Sequence, residues 1–235
     1  MRARTRASFL MAVALMASAA ACTRAQNPEP TKPQHKLLLL TSLPLVFGEQ
    51  FSLEAKGSPV LTALRQRYDV VPISVSSTPE LAEGDLLLMA HPLPQTPENL
   101  VALDAWVRRG GRVLLLADPM LEWPSERPLG DPLRPPAMFM DTGLLKHWDI
   151  RLGAPGERGP QVREMAGREV LTSSPGSLSG NCDMSEDGLI AHCNVGKGRA
   201  TVVADADILD VDHLEGPADH NVEAVLAELA SLAER

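Results

Sequence analysis

Three aspartates that follow apolar runs are the residues of this sequence best placed for chemistry. Asp118 closes the run RVLLLAD, and Asp205 closes the run RATVVAD, with Asp207 two residues further along. In open α/β sheets, ligands bind outside the carboxyl ends of the strands. If the two runs are neighbouring strands, these carboxylates face one crevice and offer the oxygen ligands that Mg²⁺ and Ca²⁺ prefer.

A structural role for the same aspartates is the competing interpretation, because carboxylates after strands also accept hydrogen bonds from loop amides. Asp118 precedes Pro119, which is an ordinary way to start a turn. The run DADILDVDH lacks the glycine and the final glutamate of a calcium-binding loop. We therefore predict no resident metal or cofactor and treat Asp118, Asp205 and Asp207 as candidates for ligand or partner binding. A divalent-metal-dependent hydrolase built on the three aspartates is the alternative.

The sequence lacks the nucleophile that covalent catalysis on an α/β sheet requires. Hydrolases and amidotransferases place Cys or Ser on a tight turn after a strand and pair it with His. After the run DLLLMAH the chain continues with PLP, without Cys or Ser. The segment GSLSG at 176–180 has Leu178 where the G-x-S-x-G motif has Ser, and its composition is typical of a loop. A protein without catalytic activity is therefore expected.

A long proline-rich segment separates two of the apolar runs. Residues 119–140, PMLEWPSERPLGDPLRPPAMFM, show no helical or strand period, which predicts a surface loop over the strand ends. Trp123 lies in this segment beside Leu121 and Pro124. Exposed tryptophans are frequent anchors for protein partners, so Trp123 is a candidate partner-binding residue.

The first 35 residues have the pattern of an export signal followed by a tether. Residues 1–21 combine a basic start, an apolar stretch and small residues, which predicts a signal peptide. The segment AAAC that ends at Cys22 is similar to a bacterial lipobox, in which Cys22 receives a lipid. Ordinary cleavage after an A-x-A site, with Cys22 unmodified, is the alternative. Residues 22–35 are polar and contain proline, as suits a tether. We predict an exported protein, either on the periplasmic face of a membrane through lipidated Cys22 or in the periplasm.

The two other cysteines, Cys182 and Cys193, form an even pair at short spacing. In an oxidising compartment such a pair predicts a disulfide. The short loop it closes implies a stabilisation of ~2–3 kcal/mol. A metal pair with His192 is the alternative, although these residues do not form a zinc-ligand pattern.

Continuous apolar runs predict buried parallel strands at 36–42, 69–75, 85–91, 112–118 and 199–205. Helical patterns lie between several of them, with start signals at Ser58-Pro59 and Thr96-Pro97, and a last helix over 220–235. The alternation predicts a doubly wound, mostly parallel sheet of flavodoxin-like type, with helices on both faces, in a single α/β domain over 36–235. Short antiparallel edge strands are expected near 169–172 and 189–193.

Composition narrows the possible partners. The 235 residues include 22 basic and 30 acidic side chains, which give a formal net charge of −8. An acidic surface repels phosphate backbones, so nucleic-acid binding is not expected. The apolar share of 44% is that of a folded protein rather than a disordered one.

The stretch 84–119 carries a resemblance to a known family. It begins with a predicted strand, a proline-containing turn and a helix that contains the residues LDAWV. The residues RGGR follow, and then a strand that ends in Ala117-Asp118-Pro119. This block resembles the soluble domain of ABC-type transport auxiliary components, the family that includes gliding-motility accessory proteins. The segment LLKHWDI at 144–150 and the segment GKGR at 196–199, followed by the strand to ADAD, are similar to later parts of that domain.

The resemblance implies a class I amidotransferase-like fold without an active site. It further implies an accessory or binding role in an ABC-type transport system, with a permease or ATPase complex as the partner. Members usually carry transmembrane helices beside this domain. The apolar stretch of the predicted signal peptide is too short for such a helix and no other segment is long and apolar enough, so a lipid on Cys22 would provide the attachment. A degenerate amidotransferase-like domain that binds a ligand without turnover is a further alternative.

Overall fold

The computed structural model describes residues 35–48, 58–214, 216 and 218–234. The predicted signal peptide, Cys22 and the tether up to residue 34 lie outside these residues and remain predictions. The helices are α1 (Pro59–Arg67), α2 (Thr78–Leu81), α3 (Pro97–Arg108), α4 (Leu144–His147) and α5 (Asn221–Glu234). The strands of the main sheet are β1 (His35–Thr41), β2 (Tyr68–Pro72), β3 (Leu86–Ala90), β4 (Arg112–Leu116), β9 (Asp183–Met184), β10 (Ile190–Val195) and β11 (Gly198–Val203).

The main sheet has the strand order β2-β1-β3-β4-β11-β10-β9. The first five strands in this order are parallel, whereas β10 and β9 extend the sheet in antiparallel pairing. With β11 as the fifth strand, the parallel part has the 2-1-3-4-5 order of flavodoxin-like sheets. The fold class predicted from the apolar runs is confirmed.

Helices cover both faces of the sheet, so consecutive leucines of β1 are all buried although they point to opposite faces. Leu37 and Leu39 of β1 pack with α1 and α5 in one core. Leu38 and Leu40 point to the other face, where they share a second core with α2, α3 and α4. Because neighbouring strand residues point to opposite faces, the continuous apolar runs supply both cores at once.

The predicted helix starts are confirmed by their caps. The Ser58 hydroxyl accepts a hydrogen bond from the Val60 N–H at 3.1 Å, and Pro59 stands in the first turn of α1. The Thr96 hydroxyl accepts one from the Asn99 N–H at 3.4 Å at the start of α3. Among the described residues, no helix combines the length and apolar character needed to cross a bilayer.

The block at 84–119 is held by close glycine contacts. A Cβ on Gly111 would lie 2.4 Å from the Trp106 ring, and a Cβ on Gly198 would lie 2.1 Å from the carbonyl oxygens of Gly111 and Val107. The Trp106 indole N–H donates to the Gly84 carbonyl at 3.3 Å. Glycine at these positions therefore lets the end of α3 pack directly on the start of β11.

The second half of the chain contains more strands than the sequence predicted. The strands β6 (Pro160–Met165) and β7 (Arg168–Ser173) form one antiparallel hairpin, and β5 (Ile150–Gly153) pairs with β8 (Ser177–Gly180). The predicted edge strand near 169–172 is therefore part of a separate two-stranded sheet. The segment GSLSG is largely strand rather than loop, because its backbone pairs with β5 although its composition is typical of a turn.

The predicted disulfide between Cys182 and Cys193 is present, with 4.8 Å between the two Cα atoms. It joins the segment before β9 to β10 at the antiparallel edge of the sheet. The metal-pair alternative for these two thiols is thereby excluded, since both sulfurs are used in the bond.

Candidate functional site

The carboxyl edge of the parallel sheet brings together the aspartates singled out in the sequence. β4 and β11 are parallel neighbours, and Leu116 pairs with Val203 at their last residues. Asp118 and Asp205 both follow two residues later, so they stand side by side beyond the sheet. Asp207 begins a short 3-10 helix, Asp207–Leu209, that continues from β11. The condition on which the grouping of these aspartates depended, that the two runs are neighbouring strands, is therefore met.

Asp118 ties the ends of β4 and β11 together. Its side chain is fully buried. Its Oδ2 accepts hydrogen bonds from the backbone N–H of Ala206 at 2.8 Å and of Asp207 at 3.4 Å. Its Oδ1 accepts one from the Met120 N–H at 2.8 Å. Asp118 thus fixes the start of the 3-10 helix and the first turn of the proline-rich loop.

Asp205 and Asp207 extend the same pattern to neighbouring elements. The buried Asp205 accepts from the backbone N–H of Ile208 at 2.7 Å and of Ser173, at the end of β7, at 3.0 Å. Asp207 Oδ2 accepts from the Glu122 N–H at 2.8 Å. Asp207 Oδ1 is buried and has no hydrogen-bond partner in the described part of the chain.

The proline-rich loop is anchored across the carboxyl edge. Glu122 accepts hydrogen bonds from the hydroxyls of Ser173 and of Ser174, the latter at 3.0 Å. The Phe139 N–H donates to the Asp118 carbonyl at 2.5 Å, which holds the far end of the loop. Residues 119–140 contain no helix or strand, as predicted, and the loop keeps its position through these polar contacts.

Burial raises the pKa values of the clustered aspartates. Burial, with the Glu122 charge as a smaller cause, raises the pKa of Asp118 to about 6. Burial and the nearby Asp118 charge raise the pKa of Asp207 to about 8. The fully buried Asp205 has a pKa raised well above its usual value, through burial and then through the charges of Asp118 and Asp207. At neutral pH the cluster therefore retains protons, because adjacent buried carboxylates resist ionising together.

His91 occupies the turn directly after β3. Its φ of 46° is left-handed, and its side chain is buried. Its Nε2 lies 2.9 Å from the Pro136 carbonyl, so the ring holds the proline-rich loop, while Nδ1 has no partner among the described residues. Burial lowers the pKa of His91, so the ring is neutral. A strained turn after a strand is where α/β-hydrolases place their nucleophile. Here that position holds a histidine that supports a loop.

Two adjoining cavities open beside the acidic cluster. The first, called the acidic cavity below, measures about 500 Å³ and is lined by Glu122, Ser173, Asp207, Asp210 and His213 among others. His213 Nδ1 lies 2.6 Å from Asp210 Oδ1, and this contact raises the pKa of His213. The second cavity, about 490 Å³, shares Asp210 and His213 with the first.

Trp123 is partly buried, since it packs against the core that contains α1 and α5, and it lines the second cavity. It is therefore only partly available to a partner. The segments that follow the parallel strands also carry exposed apolar side chains. Six of the eight exposed large hydrophobic side chains described follow the carboxyl ends of β1, β3 or β4: Phe47, Leu93, Leu129, Leu133, Met138 and Met140.

The four residues predicted to bind a ligand or partner lie at this edge, but they differ in access. Asp118 and Asp205 are fully buried and bonded to backbone amides, whereas Asp207 and Trp123 line cavities. Glu122 was missed, because it lies in a loop without periodicity and its partners come from the end of β7. The residues next to it in the sequence give no local signal of that contact.

The three aspartates of the metal-dependent hydrolase alternative lie close together, but in the described part of the chain they are not arranged as metal ligands. No group of three or more His, Cys, Asp or Glu side chains is arranged there to hold a metal ion. The carboxylate oxygens of Asp118 and Asp205 are directed instead to backbone N–H groups. This geometry agrees with the interpretation that the two aspartates stabilise loops by accepting hydrogen bonds from backbone amides.

The fold and its edge define a class of protein: a flavodoxin-like α/β domain with a buried acidic cluster and a loop-covered, partly apolar carboxyl edge. A model of the family described as ABC-type uncharacterized transport system matches residues 32–154, just over half of the chain. The protein therefore belongs to this ABC-type transport auxiliary family, and its role is an accessory one in ABC-type transport. The match includes the block at 84–119, whereas the segments at 196–199 and 204–207 lie beyond it.

Solved structures share the fold at low sequence identity. The mmIFT52 N-terminal domain aligns with a TM-score of 0.54 at 12% identity, over 83% of this chain and 98% of that domain. Cytoplasmic protein STM3548 from Salmonella typhimurium gives 0.52 at 11% identity, over 84% and 98%. The exo-beta-1,4-mannosidase Op5Man5 from Opitutaceae bacterium strain TAV5 gives 0.51 at 11% identity, over 86% of this chain and 36% of that enzyme, so this chain spans about a third of its length. These likenesses concern the fold alone. A comparison with curated protein sequences returned no match.

Proposed function

We propose that this chain is an exported, lipid-anchored and non-enzymatic accessory domain that binds a component of an ABC-type transport system through its carboxyl edge. The proposed arrangement along the chain is a signal peptide over 1–21, a lipid on Cys22, a tether over 22–35 and a single domain over 36–235. The protein thus lies on the periplasmic face of a membrane.

The observation that carries the proposal is the concentration of exposed apolar side chains at this edge. Leu129 is 89% exposed, Phe47 84% and Leu133 66%. A folded domain does not gain from such exposure, and apolar patches rimmed by polar residues mark interaction sites. Together with partly exposed Trp123, these side chains form a surface suited to a protein partner.

The buried aspartates hold in place the segments that carry this surface. Asp118, Asp205 and Asp207 hold the proline-rich loop and the 3-10 helix through backbone hydrogen bonds. They are positioning residues in this proposal, while Trp123 and the exposed apolar side chains contact the partner. The turn after β3 holds His91 in place of a nucleophile, which supports a role without catalysis.

The disulfide supports export. Disulfides persist in oxidising compartments and are rare in the cytosol. The bond between Cys182 and Cys193 is compatible with a periplasmic location. A lipid on Cys22 would attach the domain to the membrane in which its transport partner lies.

Cross-linked affinity capture from native membranes tests the proposal. We expect the wild-type chain to recover an ABC ATPase or permease, and Cys22→Ser to lose it together with membrane attachment. If the wild-type chain captures no transporter component, the proposed partner class is wrong.

Surface variants test the carboxyl edge itself. Leu129→Asp combined with Leu133→Asp is expected to lower recovery of the transporter component by roughly tenfold, since apolar anchors dominate such interfaces. Val101→Asp is the matched control, because Val101 is 70% exposed on α3 and lies outside both the proline-rich loop and the segment that follows β1. Equal recovery with the double variant and the control would exclude the carboxyl edge as the partner surface.

A further inference from the structure

The two adjoining cavities at the carboxyl edge share lining residues and form one groove that is rich in carboxylates. Carboxylate side chains from the proline-rich loop and from the segment after β11 line it: Glu122, Glu126, Asp207, Asp210 and Asp212. None of the described residues that line either cavity is Lys or Arg. Among these described residues, five carboxylates line the groove against one imidazole, that of His213, so the groove favours cations.

Asp207 gives the groove an unused acceptor. Its side chain is 2% exposed and lines the acidic cavity. Its Oδ2 accepts from the Glu122 N–H, while Oδ1 has no partner among the described residues. A buried oxygen without a donor is costly, and a ligand that donates a hydrogen bond to it would remove that cost.

The arrangement of the carboxylates in the groove favours an organic cation over a metal ion as the ligand. The described residues provide no group of three side chains placed to hold a metal. An ammonium group makes fewer geometric demands, because it presents three donors on a flexible chain. Two adjoining cavities of similar volume suit a linear molecule with more than one such group.

We propose that the acidic groove binds a linear alkylammonium ligand, one nitrogen of which donates to Asp207 Oδ1 while another lies in the cavity lined by Asp212. The inference rests on the proposal that the carboxyl edge is the functional surface, and it adds the chemical class of a small ligand. Glu122 and Asp210 line the same cavity and contribute negative charge near Asp207.

Binding of this ligand is coupled to a proton. The charged groups that face Asp207 are Asp118, Asp205 and Glu122, together with Asp210 and its partner His213. Asp207, with a pKa of about 8, is mainly protonated at neutral pH. An alkylammonium stays charged below a pKa of about 10.4, so its binding ionises Asp207 and releases up to about one proton.

Calorimetric titration of the full-length chain carrying Cys22→Ser with spermidine tests the inference. We expect the affinity to rise by up to about tenfold per pH unit between about pH 6 and about pH 7.5, with matching proton release in buffers of different ionisation enthalpy. Asp207→Asn is expected to weaken binding by roughly tenfold and to abolish the pH dependence. Asp210→Asn keeps Asp207 intact and is expected to weaken binding while preserving proton release.

Asp69→Asn is the matched control, because Asp69 is an exposed carboxylate on β2 outside both cavities. Three results would overturn the inference. They are equal weakening of binding by Asp69→Asn and Asp207→Asn, absence of binding at about 5 mM spermidine, and binding that does not depend on pH. Tighter binding of Mg²⁺, or of an acetylated trilysine peptide, would likewise overturn the assignment to a free alkylammonium. Transporter capture that persists while spermidine fails to bind separates failure of this inference from failure of the proposed function.

Discussion

Replacement of Asp207 by Asn is the sharpest single test of the acidic cluster. Asn keeps an oxygen for the Glu122 N–H, which Asp207 Oδ2 accepts at 2.8 Å, and removes the titratable group. The pKa of Asp207 is raised from 3.8 to about 8 in the folded protein. The folded state therefore holds a proton that the unfolded state loses at much lower pH.

The sign of the effect follows from proton binding. Between the two pKa values the folded state binds more protons than the unfolded state, so the free energy of unfolding falls as pH rises. The contribution is fully present below the unfolded pKa and is lost as pH approaches about 8. One proton changes the free energy of unfolding by ~1.4 kcal/mol per pH unit. From about pH 5.5 to about pH 7.5, Asp207 alone therefore accounts for a loss of ~2–3 kcal/mol.

Urea unfolding of both proteins at these two pH values measures this difference. The free energy of unfolding of Asp207→Asn relative to wild type is expected to increase by ~2–3 kcal/mol between about pH 5.5 and about pH 7.5. Asp118 and Asp205 titrate in both proteins, so their effects largely cancel in the comparison. Asp212→Asn, at an exposed position, is the control and should follow wild type at both pH values. If Asp207→Asn also runs parallel to wild type, Asp207 does not hold a proton in the folded state.

Further predictions concern the anchor, the packing and the disulfide. Cys22→Ser is expected to move the protein from the membrane fraction to the soluble fraction, measured by immunoblotting after cell fractionation. Gly111→Ala, whose Cβ would lie 2.4 Å from the Trp106 ring, should lower the free energy of unfolding by ~1–3 kcal/mol, whereas Gly156→Ala, with open space around it, should not. Reduction of the Cys182–Cys193 disulfide should cost ~2–3 kcal/mol in urea unfolding, and an unchanged midpoint would show that the bond contributes no stability.

The sequence predicted the parallel half of the fold well, because buried strands need long apolar runs and helix caps are local. The β2 prediction was too long: it extended to residue 75, but the strand ends at Pro72, and the N–H groups of Ser74 and Val75 donate to the Glu80 carboxylate instead of to β1. The strands β5 and β8 were missed because strands of four residues are too short to show a period, and β8 consists mainly of Ser and Gly.

The candidate site, like the fold, could be predicted from the sequence only where it depends on local patterns. The equivalent offsets of Asp118 and Asp205 from their strands could be read from the sequence. The contacts that Glu122 makes with Ser173 and Ser174 join residues about fifty positions apart, so only the folded chain shows them. The raised pKa of Asp207 likewise depends on burial and on its neighbours in space.

The direction of β1 sets a polarity for the whole domain. The chain enters the sheet at His35 and reaches the carboxyl edge at Thr41, seven residues later. At ~3.3 Å per residue, the point of attachment and the partner surface are separated by ~23 Å along this strand. A tether of about 14 residues adds a reach of at most ~50 Å. In the proposed arrangement, the end of β1 at which the tether joins the domain is therefore opposite to the end that carries the partner surface, so the anchor does not compete with the partner for the same residues.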